Sequence, residues 1–87
     1  MAGGTKPPTS ALTMKIAEQL RGQQGVLLLD NKDIAQAAGL SPSQMGLVLR
    51  GTKQIDVELL DRICIYLGLS LSEVIRIADE STNARKY

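Results

Sequence analysis

The sequence has no histidine, phenylalanine or tryptophan, and it contains one cysteine and two tyrosines. The absence of histidine excludes any catalytic or metal site that needs an imidazole. A single cysteine, Cys64, leaves no intramolecular disulfide and no cysteine-based zinc cluster, which favours a reducing, cytoplasmic setting. No apolar run is long enough for a membrane span, and the N-terminus lacks the apolar stretch of a signal peptide.

The remaining residues offer little to an enzyme. No glycine-rich phosphate loop and no metal-ligand spacing occur in the chain, and Cys64 lies on the inward side of a predicted helix. A general base would have to come from scattered carboxylates. The sequence therefore predicts no enzymatic activity, no metal, no cofactor and no small-molecule ligand.

The length and composition indicate one small helical domain. The chain has 87 residues and is 44% hydrophobic, so its core consists of Leu, Ile, Val, Ala and Met, a mixture that suits helices. The net charge is +1, but residues 31–55 carry three cations and one anion, whereas residues 56–80 carry two cations and six anions. The middle of the chain is therefore the side expected to meet a polyanion.

The first predicted helix begins at the N-cap Ser10 and ends near Arg21. Residues 22–25, GQQG, are expected to break it, and residues 26–29, VLLL, form either a short strand or a buried loop. Residues 1–9 are expected to form a flexible arm. The inward stripe of this helix comprises Leu12, Ile16, Ala17 and Leu20.

Capping residues predict four more helices. Asp30 begins the second helix, residues 31–38, with Leu29 packing on Ile34 as a hydrophobic staple. Ser41 and Pro42 begin the third. Asp56 begins the fourth helix and a Ser70–Glu73 capping box the fifth, with Gly39, Gly51 and Gly68 as stops and residues 81–87 as a tail. The predicted inward residues of the last two helices are Val57, Leu60, Ile63, Cys64, Leu67, Leu71, Val74, Ile75 and Ala78.

The window from Asn31 to Arg50 fits two helices that cross closely at a short turn. Such a pair needs a small fifth residue and a ninth residue that tolerates positive φ, and these positions hold Ala35 and Gly39. The apolar contacts between the two helices are expected from Ile34, Ala38, Leu40, Met45 and Val48.

The third helix has two distinct faces. At roughly 100° per residue, Met45, Val48 and Leu49 point to the core. Ser43, Leu47 and Arg50 point away, and Gln44 lies on the flank near the N-terminus. This outward set is what a helix in the major groove of DNA presents.

The window, the following Arg50-Gly51 and the stretch DVELLDRICIYLGLSLSEVI resemble the lambda-repressor-like helix-turn-helix proteins of the Cro and repressor type, over about residues 12–79. The resemblance implies an all-α fold, a compact bundle of about five short helices in a domain spanning residues 10–80. In that family the third helix lies in the major groove, and dimers read two half-sites about one helical turn (~34 Å) apart. The segment between the first two helices is longer here than is usual in the family.

The resemblance also implies which residues touch DNA. By position, Pro42, Ser43, Gln44 and Leu47 face the bases, and Asn31 lies on the phosphate side. An amide such as Gln44 pairs bidentately with adenine, and Leu47 suits a thymine methyl group. The chain offers four further cations for phosphate contact: Lys32, Arg50, Lys53 and, on the arm, Lys6.

The predicted fourth and fifth helices carry more apolar residues than so small a core can enclose. The residues beside or opposite their inward stripes are Leu59, Ile65, Tyr66 and Ile77. Some of them are expected to form the interface of a homodimer, which a palindromic operator requires. The function predicted is a Cro-like or immunity repressor of a phage or mobile element that occupies an operator on double-stranded DNA. The alternatives are an antitoxin of the same fold and a helical interaction module that binds no nucleic acid.

Overall fold

The computed structural model describes residues 10–83, and this part of the chain forms five α-helices and no strand. The predicted all-α class is confirmed. Residues 1–9, including Lys6, and residues 84–87 lie outside the described range. In chain order the helices are α1 (Ala11–Leu27), α2 (Asn31–Ala38), α3 (Pro42–Leu49), α4 (Val57–Leu67) and α5 (Leu71–Asn83).

Most helices begin directly after the N-cap residues predicted for them. The side chains of Ser10, Asp30, Ser41 and Asp56 each accept a hydrogen bond from the backbone N–H three residues on, as predicted. The box predicted at the start of α5 is only half formed. The Ser70 hydroxyl accepts from the Glu73 N–H (3.3 Å), but the Glu73 carboxylate pairs with Arg76 instead of turning back to the cap.

Helix α1 is longer than predicted, and the expected break at residues 22–25 is wrong. Gly22 and Gly25 lie within the helix, and VLLL is neither a strand nor a buried loop, because α1 continues to Leu27. Two glutamines between the glycines form tertiary hydrogen bonds: Gln23 Nε2 donates to the Leu67 carbonyl (2.9 Å) and Gln24 Nε2 to Asn31 Oδ1 (2.8 Å). These bonds oppose the cost of about 1 kcal/mol that each glycine adds to a helix.

The core lies where α1 packs on α3, α4 and α5, and where α2 packs on α3 and α4. Cys64 is buried in it, as predicted, and burial raises the pKa of its thiol. Leu29 is partly buried and packs against this core, and its contact with Ile34 as a hydrophobic staple stays a prediction. The core side chains are Ile16, Leu20, Ile34, Ala35, Ala38, Met45, Val48, Leu49, Leu60, Ile63, Cys64, Leu67, Val74 and Ala78.

Three residues predicted to point inward are exposed. Val57 is the first residue of α4 and is 65% exposed, and Leu12 is the second residue of α1. Both lie in the first turn of their helix. Ile75 lies beside the buried stripe of Val74 and Ala78 instead of within it.

Candidate nucleic-acid interface

Helices α2 and α3 are joined by a tight turn, as the sequence predicts. Gly39 has φ +77° and ends α2 in the left-handed conformation, and the Leu40 N–H donates to the Ala35 carbonyl (2.9 Å). Ala35 is buried at the position that the window reserves for a small residue. This turn holds α3 across α2 and leaves one side of α3 in solvent.

The exposed side of α3 holds all of the residues predicted to face bases. Pro42, Ser43 and Gln44 are exposed, and the Leu47 side chain is 40% exposed. Arg50, at the C-cap, is also exposed. The opposite side of the helix is closed, because Met45, Val48 and Leu49 are buried in the core, as predicted.

Gln44 has a structural role that the sequence analysis missed. Its Oε1 accepts a hydrogen bond from the Ser41 N–H (3.1 Å), and the Ser41 hydroxyl accepts one from the Gln44 N–H (3.1 Å). The two residues form a complete capping box, for which the spacing S-x-x-Q was the available signal. One lone pair of the Gln44 carbonyl oxygen is therefore already used at the start of α3.

Asn31 lies at the junction of three helices. Its Oδ1 accepts the bond from Gln24 on α1, and its Nδ2 approaches α3 at Gly46, where an added Cβ would lie 3.5 Å away. Sequence reasoning placed Asn31 toward phosphate but did not anticipate these contacts. The side chain thus helps to position α2 against both neighbours.

The N-terminus of α2 carries charges of both signs. Lys32 is exposed there, but the Asp30 carboxylate accepts from the Asp33 N–H (3.0 Å), and the Asp33 carboxylate accepts from the Asp30 N–H (3.2 Å). The hydrogen bond from the Asp33 N–H lowers the pKa of the Asp30 carboxyl. The two carboxylates oppose a phosphate at the position where Asn31 and Lys32 were predicted to bind one.

The far end of α3 is fixed by α1 and by the following loop. The Arg21 guanidinium donates to the Leu49 carbonyl, a contact between a cation and a helix C-terminus that no spacing signal predicted. Both the N–H and the hydroxyl of Thr52 donate to the Leu47 carbonyl, each at 3.1 Å. Lys53, which follows in the loop after α3, is half-buried.

The four residues predicted for a dimer interface differ in environment. Ile65 is 71% exposed, and Tyr66 and Ile77 are also exposed, whereas Leu59 packs partly on the core. Leu59 and Tyr66 are seven residues apart and so lie on one flank of α4, while Ile65 lies roughly 100° away from Tyr66. Ile65 and Tyr66 are therefore both exposed but point in different directions around α4.

None of the helices within residues 10–83 has the length and apolar character needed to cross a membrane.

Comparison with known proteins identifies a family and a fold. Residues 28–80 match the Cro/C1-type HTH DNA-binding domain. The chain is similar to the clp gene regulator ClgR from Corynebacterium glutamicum, with 26% identity over 91% of this chain and 84% of that chain, and a TM-score of 0.76. A second crystal structure of ClgR shares 28% identity over 82% of this chain and 92% of that chain, with a TM-score of 0.72. No curated protein matches the chain significantly.

Proposed function

Because the chain belongs to the Cro/C1-type helix-turn-helix DNA-binding family, we propose that it is a sequence-specific regulator of transcription that binds double-stranded DNA. The observation that carries this proposal is the two-sided α3: one side is buried in the core, and the other exposes Ser43, Gln44 and Leu47 beyond a tight turn. A helix held in this way is the element that enters a major groove. The similarity to ClgR, which is named as a gene regulator, supports the regulatory role.

The proposed interface has a base-reading part and a phosphate-binding part. The base-reading residues are Pro42, Ser43, Gln44 and Leu47, and the phosphate-binding residues are Asn31, Lys32, Arg50 and Lys53. Arg50 and Lys53 are the stronger candidates for phosphate contact. Within the described residues, no carboxylate forms a hydrogen bond or ion pair with either of them. Lys32, by contrast, lies beside Asp30 and Asp33.

The regulator acts as a homodimer on a palindromic operator and represses by covering that operator, in the manner of the Cro-like and immunity repressors of phages and mobile elements. A two-fold dimer places two copies of α3 on successive major grooves. The residues proposed for its interface are Leu59, Ile65, Tyr66 and Ile77, and the compartment is the cytoplasm.

The first experiment selects bound duplexes from a random pool and then compares variants on the selected operator and on scrambled DNA. Gln44→Ala lowers affinity for the operator by about 1–3 kcal/mol and leaves scrambled DNA nearly unaffected, because it removes a base contact. Lys53→Ala weakens both and lowers the slope of log K against log salt by about one per subunit, because it removes a phosphate contact.

Two variants serve as matched controls: Gln36→Ala on α2 and Lys15→Ala on α1 remove the same side-chain types from exposed or partly exposed positions without a proposed DNA contact. The assignment of the two roles is wrong if Gln44→Ala weakens both DNAs equally or if Lys53→Ala weakens only the operator. Failure of the wild-type chain to bind any duplex in a salt-dependent way favours the interaction module instead.

An antitoxin of the same fold is the second candidate, and a specific surface favours it. Val26, Leu27 and Leu28 form a second exposed apolar segment at the end of α1, in addition to the residues proposed for the dimer. Apolar surface beyond what a dimer needs is typical of a protein that also binds a partner. A stable complex with the product of an adjacent reading frame, lost in a Val26→Asp variant that still binds DNA, would support this candidate; the absence of any such complex rejects it.

A further inference from the structure

The exposed side of α3, every residue of which the structure describes, carries no cation before the C-cap. Its exposed side chains are Pro42, Ser43, Gln44 and Leu47, and the first positive charge is Arg50. The commonest specific contact in a major groove is an arginine or lysine on guanine. Base reading by the body of this helix must therefore come from uncharged groups: the Ser43 hydroxyl, the Gln44 amide and the apolar side chains of Pro42 and Leu47.

The capping box decides which half of the amide is available. Gln44 Oε1 accepts the Ser41 N–H, so an adenine amino group would have to share this oxygen, through its second lone pair, while the oxygen is held toward the cap. The Nε2 group makes no hydrogen bond within the described residues and donates without disturbing the box. In this geometry Gln44 reads as a donor, and its partners are the major-groove acceptors: purine N7, guanine O6 or thymine O4.

Leu47 is the neighbour of Gln44 on the helix surface. Residues three apart lie about 5–6 Å from each other between Cβ atoms, so the two side chains meet adjacent bases, which are about 3.4 Å apart along a strand. Leu47 is 40% exposed, and no polar side chain but Ser43 and Gln44 shares its exposed face within the helix. The 5-methyl group of a pyrimidine is the apolar feature that a major groove offers to such a side chain.

We propose that α3 reads a 5-methylpyrimidine, normally thymine, through Leu47, next to a base that presents an acceptor to Gln44 Nε2. Each half-site of the operator then contains one thymine whose methyl group is required for full affinity. This inference rests on the proposed DNA-binding function and specifies what the bound sequence must contain.

The test replaces each thymine of the selected operator, one at a time, with deoxyuridine, which removes the methyl group and keeps the pairing. At one position in each half-site we expect the wild-type chain to bind roughly four-fold more weakly, the loss that corresponds to one buried methyl group. At the same position, cytosine weakens binding and 5-methylcytosine restores part of the loss, because the methyl group is shared with thymine.

The protein variants connect this effect to its residue. Leu47→Ala binds the thymine and deoxyuridine duplexes equally at that position, whereas the control Val26→Ala, an exposed aliphatic residue of α1, retains the wild-type difference. In Gln44→Glu, one carboxylate oxygen can still accept the Ser41 N–H in the capping box. The other oxygen, an acceptor, takes the place of the Nε2 donor. Repeating the selection with Gln44→Glu should therefore yield a base with an exocyclic amino group, such as cytosine, at the neighbouring position.

Three results would overturn the inference: an operator whose affinity is unchanged by deoxyuridine at every thymine, a Leu47→Ala variant that keeps the deoxyuridine penalty, or a Gln44→Glu variant that selects the wild-type base. In each of these cases specific DNA binding is still observed, so the proposed function stands. If no duplex is enriched from the random pool, the proposed function fails and this inference fails with it.

Discussion

Gly39 and Gly51 have almost the same backbone conformation but different surroundings. Their φ angles are +77° and +75°, in the left-handed region that glycine adopts without a penalty. An added Cβ at Gly39 would meet nothing within 4 Å, whereas at Gly51 it would lie 3.2 Å from Met14 Cα and 3.4 Å from Ala17 Cβ. Gly39 is therefore required for the turn alone, and Gly51 also for the approach of α1 to the end of α3.

Alanine substitutions at these two glycines separate the two requirements. Gly39→Ala should lower the free energy of unfolding by about 1 kcal/mol, the cost of the left-handed conformation. Gly51→Ala should lower it by about 2 kcal/mol or more, because α1 must also move. Urea unfolding of both variants checks the difference. Equal losses would mean that α1 moves away from residue 51 without a measurable cost in free energy.

Leu28 is an unfavourable residue for its position. It ends α1 with φ +57°, a region rarely adopted by residues with a Cβ, and it is 90% exposed. Its backbone N–H donates to the carbonyls of Gln24 and Gly25, so the backbone conformation serves as the cap of the helix. The side chain contributes nothing to this cap.

Leu28→Asn should stabilise the chain, because asparagine tolerates the left-handed region and removes an exposed apolar side chain. We expect the free energy of unfolding to rise by about 1 kcal/mol and Tm by roughly 4–8 °C. The control is Leu27→Asn. Leu27 is the last residue of α1, and the low helix propensity of asparagine should lower Tm there. A lower Tm for Leu28→Asn would show that Leu28 makes a contact in solution.

At the scale of the helices, α1 donates side-chain hydrogen bonds to backbone carbonyls of three neighbouring helices. Arg21 donates to the Leu49 carbonyl at the end of α3, and Gln23 to the Leu67 carbonyl at the end of α4. Gln19 Nε2 donates to the Val74 carbonyl of α5 (2.8 Å). Three polar side chains of α1 thus connect it to α3, α4 and α5.

Helix α2 begins with a carboxylate whose hydrogen bonds make stability depend on pH. The backbone N–H of Asp33 lowers the pKa of Asp30 below its ordinary value of 3.8. Such a group contributes stability that is present above its unfolded pKa and is lost as the pH falls through the folded pKa. Asp30→Asn keeps a good N-cap but removes this ionisation.

The expected result is a difference in free energy of unfolding between wild type and Asp30→Asn that shrinks as the pH falls from neutral to about 3 and below. Urea unfolding across this range measures it. Asp56→Asn, at the N-cap of α4, is the comparison, since Asp56 accepts only from the Leu59 N–H and lacks a second carboxylate in its cap. A difference for Asp30→Asn that is independent of pH would contradict the assignment.

For the whole molecule, the proposed dimer depends on the outer surfaces of α4 and α5. Tyr66 and Ile77 are both exposed there, on helices that pack against each other. Tyr66→Glu combined with Ile77→Glu should give a folded monomer. Dimerisation would bury two carboxylates per subunit, and the cost of removing them from water is too high. Operator affinity should fall about 10-fold or more, because the two half-sites are no longer linked.

Sedimentation velocity and operator titration check this expectation together. Val57→Glu, which places the same charge at an exposed position of α4, is the control and should leave both unchanged. If the double variant sediments as the wild type does, the interface lies elsewhere, and residues 26–28 are the next surface to test.

The sequence by itself determined the features whose physics is local. The N-caps Asp30, Ser41 and Asp56 act on backbone groups three residues away, and Gly39 supplies its own conformation, so a short window contains the whole cause. The outward face of α3 follows from the 3.6-residue period and from the apolar residues on its other side. The helix-turn-helix and the exposure of Gln44 and Leu47 could therefore be predicted.

Only the tertiary structure decided the features whose causes are distant in sequence. α1 continues through two glycines, and Gln23, which lies between them, donates to a carbonyl 44 residues away. Periodicity places Val57 inward, but the packing of the other helices covers Leu60 in this turn and leaves Val57 65% exposed. Helix propensity depends only on the residues of one segment. A hydrogen bond or a covering side chain from another helix adds stability that cannot be calculated from that segment alone.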